Sequence, residues 1–194
     1  MKILLASGSP RRAALLTEVG MDFRVVITNA SEDFDESATP EQICEEIAKR
    51  KALAALEFAN DGEYVVAADT SVVINGEILG KPKDEDDARR MLMLLSGKSH
   101  TVYTGIAVSH NGKTVTAHEG TTVQFEKLDN ELIDTYIATK APLDKAGAYG
   151  IQGLGQALVK CIVGDYFNVM GLPLNLLFKV LKDEFETAPL SWLN

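Results

Sequence analysis

Two Asn-Gly dipeptides, Asn75-Gly76 and Asn111-Gly112, constrain this chain more than any other feature. Both residues of such a pair accept the positive φ of a two-residue turn, so each reads as a hairpin whose flanking strands are antiparallel. The rest of the chain alternates strand and helix signals. "KILLA" (2–6) is a short buried strand. Ser9 reads as the cap of the next helix, with Pro10 at its first position and Gly20 at its end. "FRVVIT" (23–28) is a second strand and leads into the acidic stretch "NASEDFDESA". Thr39, Pro40 and Gln42 form a capping-box start for a helix reaching about Ala59, its apolar positions being Ile43, Ile47, Leu53 and Leu56. "EYVVAADTSVVINGEILGKP" (63–82) reads as a buried strand, a polar break and the first hairpin.

Further along, "DEDDARRMLMLLSG" is a helix with acids in its first turn and Gly97 as its stop. Residues 100–126 form two long strands around Asn111-Gly112, and Asp129 caps the helix in "DNELIDTYIATK". A glycine-rich loop (141–155), the strand "ALVKCIVG" and the closing helix "LPLNLLFKVLKDEF" follow. Helices interleave with strands, but the hairpins break strict βαβ alternation. The pattern therefore predicts an α/β protein with a mixed sheet, not a Rossmann or barrel fold.

Charge narrows the partners. At 194 residues the chain can bury a sizeable core, and its formal net charge of −9 argues against nucleic-acid or anionic-membrane binding. Cys44 and Cys161 are isolated from each other and from any metal-type cluster, which predicts reduced, packed thiols in a cytoplasmic protein. "MKILLASGSP" is too short in its apolar run for a secretion signal or a membrane span.

Against that acidic background, Arg11 and Arg12 at a strand-to-helix junction stand out. A helix N-terminus is already positive, so two cations there are either solvated or meet an anion. Ser7, Gly8 and Ser9 supply hydroxyls and backbone N–H groups at the same junction, although no Walker motif is present. Asp69 reads either as a turn or cap residue, or as a carboxylate held to bind a metal or activate water. Lys81 in "LGKP" is either solvated or a phosphate ligand, and Glu32 and Lys51 are unremarkable alone. His100 fits a structural hydrogen bonder better than a base.

Six blocks in order, "SGSPRR", "AADTSVV", "GKP", "SGKSHTVYTG", "DKAGAYGIQG" and "GDYFNVMGLP", resemble the Maf-like nucleoside triphosphate pyrophosphatases, the likeness running from about residue 3 to 181. That resemblance implies a single Maf-like domain over residues 1–194. Its fold would be a mixed twisted sheet with flanking helices, two lobes around a cleft, similar to inosine triphosphate pyrophosphatases. It implies hydrolysis of a nucleoside triphosphate to the monophosphate and pyrophosphate with Mg²⁺ or Mn²⁺. By motif, Asp69 falls on the catalytic base, and Arg11, Thr70 and Gln152 fall on the positions tied to substrate choice. Ser7, Arg12, Lys51 and Lys81 fall on the phosphate region, with Glu32 and Asp69 at the metal. "AGAYGIQG" resembles the branch acting on dTTP and UTP more than the one acting on 7-methyl-GTP. Family habit adds a homodimer. The rival reading is a nucleotide-binding regulator of septum formation, which has no need of a water-activating aspartate. A housecleaning hydrolase of the inosine triphosphate type fits the six blocks less well.

Overall fold

Ile3, Leu4 and Leu5 have no exposed surface, so the first strand is covered on both faces and its uninterrupted apolar run is that of a central strand. A computed structural model describes residues 1–35, 37–188 and 190. Its strands are β1 (Lys2–Ala6), β2 (Asp22–Val26), β3 (Tyr64–Ile74), β4 (Glu77–Leu79), β5 (Ser99–His110), β6 (Lys113–Phe125) and β7 (Val159–Val163). They hydrogen-bond in the order β2-β1-β3-β5-β6-β7, with β4 on β3. β1 is parallel to both β2 and β3, whereas β3/β4 and β6/β7 are antiparallel. The fold is mixed α/β, as the two hairpins require. Asn75-Gly76 and Asn111-Gly112 turn at positive φ (52°, 81° and 48°, 77°).

The helices are α1 (Pro10–Glu18), α2 (Pro40–Ala55), α3 (Glu85–Leu95), α4 (Asn130–Ala138), α5 (Tyr166–Met170) and α6 (Leu174–Phe185). Several begin as their sequences dictate. Thr39 and Gln42 make the reciprocal capping box of α2. Asp84 and Asp129 accept the N–H groups of Asp87 and Leu132, each at 2.8 Å. Ser9 stands at the α1 cap position, but its side chain makes no cap bond. Its own N–H donates to Ser7 Oγ at 3.2 Å instead. The short α5 has no counterpart in the sequence reading.

Three expectations need correction. No polar break divides residues 64–74: β3 runs unbroken through Asp69, Thr70 and Ser71, because ladder pairing on both sides of the break satisfies the backbone whatever the side chains are. Leu53 and Leu56 do not face the core; each is 44% exposed, and Ala48, Ala52 and Ala55 are buried in their place. The 16-residue α2 ends at Ala55 and a 3-10 turn covers Leu56–Phe58, so the face carrying these leucines turns outward. Cys44 is buried and burial pushes its thiol up to about 12, but Cys161 is exposed on β7.

The chain divides into two compact units. The first takes its described residues from 1–69, 104–119 and 171 onward; the second comprises 70–103 and 120–170. Leu4, Ala6, Ala48, Ala52, Ala55, Val65, Ala67 and Ala107 form one core of the first unit. Small residues there let α2 lie close on the sheet. Gly105 is the closest point: a Cβ on it would stand 2.3 Å from the Cys44 carbonyl carbon. Gly105→Ala is therefore expected to cost about 3 kcal/mol, the upper end of overpacking costs, because backbone and not a flexible side chain must yield. Denaturant midpoints check this; a loss below about 1 kcal/mol overturns the close-packing account. In the second unit α3 and α4 pack with β3–β6 residues around Val72, Leu92, Leu95, Val123 and Phe125.

Candidate active site

Strand register determines what meets at the end of the first unit. Ala6 of β1 pairs with Ala67 of β3 and with Val26 of β2 in parallel ladders. Ser7, the loop after Val26 and Asp69 therefore leave or extend the sheet at the same end. In parallel α/β arrangements this carboxyl end is where ligands bind.

Two carboxylates converge there on one cation. Lys51 Nζ, reaching across from α2, donates to Asp69 Oδ1 at 2.7 Å and stands 2.7 Å from Glu32 Oε1 in the loop after β2. The Lys51 and Asp69 side chains are each 15% exposed, against 60% for Glu32. Beside them Arg12 folds back over the β1–α1 junction. Its Nε donates to the Gly171 carbonyl at 2.6 Å and its Nη1 to Ser7 Oγ at 3.0 Å. Burial pulls the Arg12 guanidinium below its ordinary pKa; Asp69 and Glu32 push it back up, while neighbouring Arg11 lowers it further. An arginine still carries its charge after such a change.

Helix N-termini in the chain differ in charge. α3 begins with three acids, Glu85, Asp86 and Asp87, as its dipole favours. The first turn of α1 holds no acid and carries two arginines after Pro10. Cations are disfavoured at that end unless negative charge from outside the helix sits among them.

Ser7, Arg11, Arg12, Glu32, Lys51 and Asp69 thus belong to one neighbourhood of the first unit. Asp69 lies within β3, not after a strand, and is held as a strand residue can be, with few rotamers open to it. Thr70, Lys81 and Gln152 belong to the second unit. Thr70 is half-buried, and Lys81 and Gln152 are exposed. The bend at Lys81 and the glycine-rich loop bearing Gln152 are tied together: Gly147 N donates to the Gly80 carbonyl at 3.0 Å. Gly147 takes φ +67°, and a Cβ there would stand 2.9 Å from Val72 Cγ1, so this approach needs glycine. His100 Nε2 and Tyr149 hydroxyl, 2.7 Å apart in the buried interior, anchor the same loop. Burial lowers the His100 pKa to about 4, which suits a neutral structural hydrogen bonder. The Gly171 carbonyl that holds Arg12 was not foreseen. A backbone acceptor leaves no mark on residue identity, although its block "GDYFNVMGLP" is part of the ordered motif set.

The donor set accommodates a divalent cation. Glu32 and Asp69 already direct hard oxygen donors toward a common positive centre. Mg²⁺ and Mn²⁺ need only one or two such carboxylates when water and phosphate oxygens complete the shell. No group of three or more His, Cys, Asp or Glu side chains forms a metal site among the described residues, so phosphate and water would have to supply the remaining ligands.

The class of protein is a mixed-sheet α/β fold that sets a half-buried arginine beside a lysine-bridged carboxylate pair. The chain belongs to the Maf-like protein family, whose model matches residues 2–184. It is 49% identical over 181 residues to the dTTP/UTP pyrophosphatase of Bacillus cereus strain B4264, covering 93% of this chain and 94% of that one. It is 48% identical over 182 residues to the dTTP/UTP pyrophosphatase of Bacillus thuringiensis subsp. konkukian strain 97-27, with the same coverage. Among solved structures, the Staphylococcus aureus Ham1 protein matches at a TM-score of 0.46 and 18% identity, over 82% of this chain and 80% of that one.

Proposed function

We propose that this protein hydrolyses dTTP and UTP to the nucleoside monophosphate and pyrophosphate, with residues 1–194 working as one catalytic domain. The observation that carries the proposal is the convergence of the half-buried Arg12, the Lys51–Asp69 pair and Glu32 at the carboxyl end of β1 and β3. The names of relatives at 48–49% identity support the substrate class. Asp69 receives the proton of a water whose oxygen bonds to the α-phosphorus as the bond to the bridging α–β oxygen breaks. Pyrophosphate leaves with that oxygen, and the proton passes from Asp69 to solvent. Lys51 holds the Asp69 carboxylate in place. Arg11, Arg12 and Lys81 take up the charge that grows on the departing phosphates, and Ser7 keeps the Arg12 fork turned toward them. Glu32 and Asp69 would hold Mg²⁺ or Mn²⁺, which when bound lowers the pKa of water and offsets phosphate charge.

Base choice falls to Gln152 with Thr70 and Arg11. The Gln152 amide offers one donor and one acceptor face, matching the N3–H and O4 of uracil or thymine. An amide can flip, so neighbours must hold its orientation. The reading also places the protein in the cytoplasm as a homodimer, with neither nucleic acid nor membrane as a partner. The net charge of −9 supports the part of this reading that concerns nucleic acid and anionic membranes. None of the described helices is long and apolar enough to cross a membrane.

The test is kcat/KM for dTTP, UTP, CTP, ATP, GTP and 7-methyl-GTP. dTTP and UTP are expected to lead, by about tenfold or more where a buried polar group would go unpaired with the wrong base. Gln152→Ala is expected to narrow that gap more than it slows the poorer substrates. A wild-type preference for 7-methyl-GTP overturns the branch, and absence of pyrophosphate from every nucleotide overturns the reaction.

A further inference from the structure

Lys51 and its neighbour Arg50 reach two consecutive residues of one loop. Lys51 Nζ pairs with the Glu32 carboxylate, and Arg50 Nη2 donates to the Asp33 backbone carbonyl at 2.7 Å. We infer that Arg50 is a positioning residue for divalent-metal binding, anchoring the loop so that the Glu32 carboxylate stays directed at Asp69. The inference rests on the proposed hydrolase reading and on Glu32 as a metal ligand.

Glu32 needs such an anchor. Its side chain is 60% exposed and has several rotatable bonds. Its backbone is shaped locally, since Ser31 Oγ donates to Asp33 Oδ2 at 2.9 Å and accepts the Asp33 N–H at 3.1 Å. Those bonds set the form of the turn, not where the turn sits on the protein. The Arg50 bond adds that at the backbone, because it ties residue 33 to α2, the same helix whose Lys51 pairs with the Glu32 side chain. A guanidinium-to-carbonyl bond of this length is charge-assisted and strong for its kind. Groups that hold a metal ligand's support in place commonly change metal affinity 10–100-fold when removed.

Truncating Arg50 is compatible with folding. Asp33 and Arg50 line a cavity of about 580 Å³ together with Asp35, Glu45 and Glu46. Water entering there can satisfy the Asp33 carbonyl, so what is lost is the anchor. A second contact of Arg50, from Nε to Glu46 Oε1 at 3.6 Å, is an ordinary i,i+4 helix pair and provides the control.

Mn²⁺ binding is measured by electron paramagnetic resonance on the full chain with α,β-methylene-dTTP present. Arg50→Ala is expected to weaken Mn²⁺ about tenfold or more while Glu46→Gln stays within about twofold of wild type. Arg50→Ala activity should fall more at limiting metal than at saturating metal. Thermal unfolding of both variants is followed alongside, because a merely structural role would lower the Tm and leave the Mn²⁺ isotherm in place. Wild-type affinity in a folded Arg50→Ala, or equal weakening by Glu46→Gln, overturns the inference. Pyrophosphate release by the wild type is read in parallel. A failure of the hydrolase reading shows there, and a failure of the Arg50 inference shows in the isotherms.

Discussion

Asp69→Asn is expected to lower kcat for pyrophosphate release from dTTP by about 10²–10⁴-fold, the range lost when a general base is removed. Asparagine keeps the volume and one oxygen that can still accept from Lys51, so the 2.7 Å contact and the geometry of β3 survive. What disappears is the second anionic oxygen and the capacity to take a proton. KM for the nucleotide should change much less at saturating metal, because the proposed phosphate contacts fall to Arg12 and the α1 N-terminus. Turnover within a few-fold of wild type in a folded variant would sink the assignment. The same measurement separates an enzyme from a regulatory nucleotide binder, since a binder would keep its affinity for dTTP and lose nothing measurable in turnover.

Removing Arg12 should be nearly as costly. Arg12→Ala is expected to reduce kcat/KM by about 10²–10³-fold, as when a preorganised donor to developing charge is deleted. The loss should be similar for every nucleotide, because phosphate contacts do not read the base. Arg12→Lys should recover only part of it: the charge returns, but one ammonium cannot serve Ser7, the Gly171 carbonyl and a phosphate in the fixed planar arrangement of a guanidinium. Lys81→Ala should likewise slow all nucleotides by a common factor. A changed ranking among bases in the Arg12 or Lys81 variant would move that residue from phosphate binding to base recognition.

Much of this protein is legible in short windows of sequence. The turn at Asn75-Gly76 needs only two residues that tolerate positive φ. The start of α2 needs only Thr39 and Gln42 three positions apart, and both cap bonds form. Two arginines at the head of α1 are locally out of place, which made Arg11 and Arg12 conspicuous before any contact was known. The ordered block "AADTSVV" likewise marked Asp69, whereas Glu32 and Lys51 lie outside the six blocks; the first unit gathers both carboxylates on the Lys51 ammonium.

Where the sequence reading failed, the deciding partner was distant in the chain. Leu53 and Leu56 have helical spacing, but the face of α2 that meets the sheet is chosen by how closely Gly105 lets the backbone approach, and alanines fit that gap where leucines do not. Asp69 looked like the end of a strand because aspartate is a poor strand residue alone, yet ladder hydrogen bonds from neighbouring strands outweigh that preference. Turns, caps and the amphipathic starts of helices are thus determined by the sequence itself, since their energies lie within a few consecutive residues. Strand register, the exposed face of α2, the Gly171 carbonyl on Arg12 and the meeting of residues 7, 12, 32, 51 and 69 were decided by tertiary structure alone. Each depends on pairing energies between segments that only the folded chain brings within reach.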